Sequence, residues 1–153
     1  MNAKYITPII VSVQNVFATM IQLPVVSGKQ CFKKEKRPTT EVISMITMSG
    51  PVSGFICLGI SKRLAFLLSS KLLECQVSEA NGDCIDAIGE ITNMIAGNAK
   101  SEFPDDGIII SVPKVVFGTA KEPYPTPAPV ISIPFETQGE VLLVDMSILR
   151  NPK

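Results

Sequence analysis

The chain has 153 residues, 46% hydrophobic and 18% charged, with 14 basic and 14 acidic side chains and a mean hydropathy of +0.32. That is sufficient apolar sequence for one buried core and too much for a disordered chain. Zero net charge and a pI of about 6.3 give no general attraction to nucleic acid or anionic lipid, and no apolar run reaches the ~20 residues that span a bilayer.

The opening MNAKYITPIIVSVQNVF has an amphipathic rhythm instead of a charged region ahead of a solid apolar block, so no signal peptide and a cytoplasmic protein are expected. From about Tyr5 to Gln22, Ile6, Ile10, Val13, Phe17, Met20 and Ile21 follow a helical period, with Pro8 in the first turn and Pro24 as the stop. The run Lys33-Lys34-Glu35-Lys36-Arg37 reads as a solvated strand edge or hairpin tip, with a phosphate-binding patch as the lesser reading. EVISMITM and VSGFICLGI follow as two strands joined at a Ser-Gly-Pro turn. Ser61 caps a leucine-rich helix, and EANGD turns the chain into a second long helix that PDDG ends. IIISVPKVVFG, VISIPF and EVLLVDMSI supply the last strands, and TAKEPYPTPAP between them reads as a stiff, extended connector. The order predicts a single α+β domain over residues 1–153, with a mixed or antiparallel sheet and long helices on one face.

The two long helices resemble each other at an offset of 78 residues, which sets Pro8 on Asp86, Ser12 on Glu90, Asn15 on Asn93, Ala18 on Ala96 and Thr19 on Gly97. SGFICLGIS and QGEVLLVDMS align likewise, Gly54 on Gly139. A helix followed by a hairpin thus recurs at about 5–60 and 83–148, which predicts an internal duplication with approximate two-fold symmetry.

The chain has no histidine, which removes the commonest general base, the commonest zinc ligand and any Ser-His or Cys-His nucleophile pair. Neither a P-loop nor a GxGxxG is present. Cys31, Cys57, Cys75 and Cys84 show no CxxC spacing and read as reduced, structural thiols. Chemistry therefore rests on carboxylates, amides, hydroxyls or lysines, or on groups a partner brings.

GEITNMIAGNAK concentrates such groups. At 100° per residue Ile85, Ile88, Ile91, Thr92, Ile95 and Ala99 share a face expected to bury against the sheet. Asp86, Glu90, Asn93, Gly97 and Lys100 lie opposite, with Gly89 at the border. Glu90 and Asn93 are neighbours three residues apart. Each helix glycine costs about 1 kcal/mol relative to alanine, so Gly89 and Gly97 suggest a surface kept bare for close approach. Asp83, Asp86 and Glu90 alone make too thin a donor set for a metal hydrolase.

DAIGEITNMIAGNAK resembles the D-x3-E-x2-N signature of the CheX/CheC-type chemotaxis phosphatases. The likeness extends to the opening helix, to the PTP…VISIPFE…GEVLLVD close and to the duplicated layout, and so covers nearly the whole chain. It is greatest to the CheX branch, which keeps one working signature. The resemblance implies removal of the phosphoryl group from the aspartate of a CheY-like response regulator. Asn93 would orient the attacking water and Glu90 would pair with the regulator's active-site lysine. Asp86 is either the motif's first acid or a first-turn residue favoured by the helix dipole, and Gly89 and Gly97 would clear room for the partner. Ser12 and Asn15 would form a degenerate second half-site without its carboxylate. The resemblance further implies no cofactor of its own, Mg2+ supplied in the regulator's site, and a homodimer formed through strand exchange or edge pairing of the sheets. The alternatives are a non-catalytic domain that binds a response regulator and a flagellar-switch-like scaffold.

Overall fold

The computed structural model describes residues 3–152; Met1, Asn2 and Lys153, the ends of the expected domain, lie outside the described residues. In chain order the elements are α1 (Ala3–Val16), β1 (Val26–Ser27), β2 (Cys31–Phe32), β3 (Val42–Ser49), β4 (Val52–Ile60), α2 (Lys62–Leu73), α3 (Gly82–Ser101), β5 (Ile109–Ile110), β6 (Lys114–Phe117), β7 (Ile131–Thr137) and β8 (Glu140–Arg150). Eight strands form one sheet in the order β1-β7-β8-β4-β3-β5, with β2 also on β7 and β6 also on β3. Every pairing is antiparallel.

The topology is interlaced. The short strands that follow α1 pair with the β7–β8 hairpin, while those that follow α3 pair with the β3–β4 hairpin. Each helix therefore sends its edge strands to the other helix's hairpin, and the order helix, two short strands, hairpin occurs twice. Side chains alternate across the sheet. Val42, Ile46, Ile56, Leu58, Ile133, Phe135, Val144 and Met146 enter the core beneath the helices.

Pro8 sits inside α1, not in its first turn, and α1 ends in a π-helical turn, Phe17–Ile21, closed by Gln22 in the left-handed region. Ser61 does cap α2, its Oγ accepting from Leu64 N at 3.1 Å. Glu140 binds both Ser61 and Arg63, which ties the start of α2 to β8. The sequence match of Gly54 with Gly139 does not survive. Gly54 lies within β4, where a Cβ would come to 1.9 Å from the Ser147 carbonyl oxygen. Gly139 instead turns the β7–β8 hairpin with Gln138, at φ 73° and 52°, the mirror-image turn that suits the twist of the strands.

The sheet face opposite the helices is also covered, and the proline-rich connector supplies part of the cover. Ala120, Tyr124 and Val130 pack on Ile43, Phe55 and Cys57 as a second, smaller core. Tyr124 stacks on Phe55 with ring centroids 4.9 Å apart. Lys33 leaves the solvated run to which the sequence assigned it. Its Nζ lies 2.7 Å from Asp145 Oδ2, with side-chain exposures of 5% and 4%. Tyr124 donates its hydroxyl to the same carboxylate oxygen. Desolvation and the Asp145 hydrogen bond push the Tyr124 phenol well above its ordinary pKa. Burial, reinforced by the Asp145 charge, raises the Cys57 thiol to about 12. Lys34 to Arg37 are exposed as expected. All four cysteines are free, but only Cys57 and Cys84 are buried; Cys31 and Cys75 are exposed.

Candidate functional site

Helix α3 carries the candidate residues and is anchored on three sides. Asn81 caps it, Oδ1 accepting from Cys84 N at 2.9 Å. Thr92 Oγ1 lies 2.7 Å from Ser44 Oγ of β3 and 2.9 Å from the Ile88 carbonyl oxygen, all of it buried. Ser12 of α1 donates to the Ile95 carbonyl at 2.7 Å. Ile88, Ile91, Thr92, Ile95 and Ala99 are buried as the helical period requires. With Thr92 pinned to the sheet, its neighbour Asn93 and the preceding Glu90 are held facing out, and both are exposed.

Ile85 departs from the expected buried face: it is 38% exposed. It lies one turn from the helix start, and there it lines an open groove with Asp86, Gly89, Glu90, Asn93 and the segment Val112–Pro113–Val115. Among these lining residues are two carboxylates and no cation. Asp86 is exposed in the second turn; the first-turn acid is Asp83, so the dipole reading of Asp86 loses its basis.

The two glycines separate. A Cβ at Gly97 would meet nothing within 4 Å, so the space there is open. One at Gly89 would lie 3.2 Å from Pro113 Cγ and 3.6 Å from Val115 Cγ2. Gly89 is buried, and the room it leaves is taken by this chain's own β6 segment.

The expected second half-site is not presented in the same way. Asn15 is exposed, but Ser12 is 3% exposed and spent on the α1–α3 contact, where a glutamate would bury its charge. Matching burial instead of letters pairs Ile9 with Ile88, Val13 with Thr92, Val16 with Ile95 and Phe17 with Ala96. That sets Val11 and Gln14 opposite Glu90 and Asn93, so α1 lacks a carboxylate in either alignment.

Sequence reasoning missed the groove's second wall. IIISVPKVVFG forms two strands, β5 and β6, paired to β3 one residue out of step: Met48 faces Ile110 and Met45 faces Lys114. The extra residue is a β-bulge at 111–113. Pro113, which cannot donate to a ladder, was the available signal.

Among the described residues no group of three His, Cys, Asp or Glu side chains is placed to hold a metal ion, and no helix is long and apolar enough to cross a membrane.

The whole fold is that of a class of chemotaxis proteins. The chemotaxis protein CheX of Desulfovibrio desulfuricans superposes with a TM-score of 0.86 at 26% identity, over 95% of this chain and 99% of that one. A CheC-like superfamily protein from a Shewanella species does so with a TM-score of 0.86 at 26% identity, over 97% and 99%. The CheX of a CheX–CheY–BeF3–Mg2+ complex from Borrelia burgdorferi shares the fold at 22% identity, with a TM-score of 0.81 over 96% and 98%. No curated protein sequence matches. The sequence model of the family described as chemotaxis phosphatase CheX matches residues 42–136, a range that contains α3 and both walls of the groove. The chain belongs to the CheX family of chemotaxis phosphatases.

Proposed function

We propose that the chain hydrolyses the aspartyl phosphate of a CheY-like response regulator, with Asn93 orienting the attacking water and Glu90 engaging the regulator's active-site lysine. One observation carries this reading: the groove exposes an amide one helical turn beyond a pair of carboxylates, and no cation lines it. Such a surface repels a bare phosphate. It accepts one whose charge is already neutralised by a lysine and a divalent cation in the partner. The complex from Borrelia burgdorferi pairs a CheX with a CheY carrying BeF3, which stands in for the phosphoryl group, and Mg2+.

In the reaction the water oxygen forms a bond to phosphorus and the bond to the aspartate oxygen breaks, giving inorganic phosphate and a free carboxylate. The Asn93 carbonyl accepts a hydrogen bond from the water and its NH2 donates one, so the water is aligned without any ionisation in the phosphatase, as by glutamine in GTPases, and its protons leave with the released phosphate. Glu90, one helical turn away, anchors the helix, and positioning is the main lever for such a step. Asp86 adds attraction at the rim, while Gly97 leaves room for the partner. The same reading places the protein in the cytoplasm with its regulator, as a homodimer.

The test is phosphate release from a Mg2+-loaded, phosphorylated CheY-type regulator. Wild type accelerates the decay, Glu90→Ala chiefly raises KM, and Asn93→Ala chiefly lowers kcat by about 100-fold. A wild-type protein that binds the regulator and leaves its decay rate unchanged overturns the proposal.

A further inference from the structure

The β-bulge at 111–113 forms a rigid arm. Ser111 N donates to the Thr47 carbonyl at 2.9 Å, and Ser111 Oγ accepts from Thr47 N at 2.9 Å while lying 3.0 Å from the Val112 carbonyl. Pro113 has a fixed φ and rests in the space left by Gly89. On this braced arm Val112 is 85% exposed. Across the groove Ile85 of α3 is also exposed, and Glu90 and Asn93 of the same helix line the groove with both apolar side chains. An apolar side chain held out beside a charged groove by backbone hydrogen bonds and a proline is not slack loop. Bulges are enriched beside functional sites, where they re-aim a side chain.

Resting on the phosphatase reading above, we propose that Val112 and Ile85 are specificity-determining contacts with the receiver domain of the phosphorylated regulator, and that Gly89 is the positioning residue that sets Val112 at its working height. The acidic groove attracts any cation-bearing surface. Discrimination needs a second, shape-dependent contact, and burying these two side chains against an apolar rim around the regulator's lysine- and Mg2+-bearing centre supplies it.

The experiment is steady-state dephosphorylation of a Mg2+-loaded, acetyl-phosphate-charged CheY-type regulator by wild type, Val112→Ser, Gly89→Ala and the double variant, with thermal unfolding of each. Val112→Ser is expected to raise KM about tenfold with kcat unchanged, and Val112→Ile to restore it. Gly89→Ala pushes Pro113 away and raises KM in the wild-type background but not in the Val112→Ser background, because the contact it misplaces is already gone. An unchanged KM for Val112→Ser in a protein that still turns over regulator overturns the specificity role. Equal Gly89→Ala losses in both backgrounds overturn the positioning role. If wild type itself does not turn over regulator, it is the phosphatase reading that has failed.

Discussion

Lys33 offers a test of the far face of the sheet. Replacing it by Met keeps the length of the side chain and removes the charge that Asp145 faces at 2.7 Å. Asp145 Oδ1 is already buried without a hydrogen-bond partner, so the variant leaves a carboxylate at 4% side-chain exposure held mainly by the Tyr124 hydroxyl. Breaking a buried pair from one side costs about 3–5 kcal/mol, a fall in Tm on the order of 10 °C for a chain of this size. Urea denaturation at constant m gives the number directly. Removing the whole cluster, with Lys33→Met, Asp145→Leu and Tyr124→Phe together, should recover most of the loss, because a buried pair is often no better than apolar groups of similar volume. Activity below the transition should be unchanged, since the cluster lies on the face opposite α3. A Lys33→Met protein within about 1 kcal/mol of wild type would refute the reasoning, because that is what a solvated lysine gives.

Other outcomes follow from single residues. Cys31 and Cys75 should react with a thiol reagent in the folded protein, whereas Cys57, pushed up to about 12, and buried Cys84 should react only on unfolding; four equal rates would contradict the packing. Gly97→Ala, with open space around it, should stabilise α3 by about 1 kcal/mol yet weaken binding to the regulator, and unchanged binding would remove Gly97 from the interface. The Asp105 carboxyl is held below its ordinary range by the Tyr5 hydroxyl and by Arg150. A depressed pKa contributes stability that is present at neutral pH and lost as pH falls through the lowered value. The gap between wild type and Asp105→Asn in denaturation midpoints should therefore close on acidification below roughly pH 4.

The long elements were legible because their patterns are strong and local. β3, β4, β7 and β8 combine apolar β-branched runs with turn residues, and α3 shows a clean helical period, so Glu90 and Asn93 could be placed on its open face from sequence. What failed depended on distant partners. Lys33 looks solvated beside Lys34, Glu35, Lys36 and Arg37, and only its partner 112 residues away buries it. Gly89 looked like clearance for another protein because Pro113 arrives from the bulge ahead of β6. β1 and β2, two residues each, are too short for any period to show. Ile85 obeys the helical period, but in the first turn it is Cys84 that enters the core while Ile85 lines the groove.

The central claim is that the Asn93 amide aligns the water that attacks the regulator's phosphoaspartate. The most direct measurement compares wild type and Asn93→Ala at saturating concentration, following single-turnover decay of a Mg2+-loaded phosphorylated regulator beside the Kd of each for the BeF3-bound form. Equal Kd values with decay near the regulator's own rate under Asn93→Ala are the predicted result. Decay by Asn93→Ala as fast as by wild type, at equal Kd, would contradict the claim and place the water's partner elsewhere in the complex.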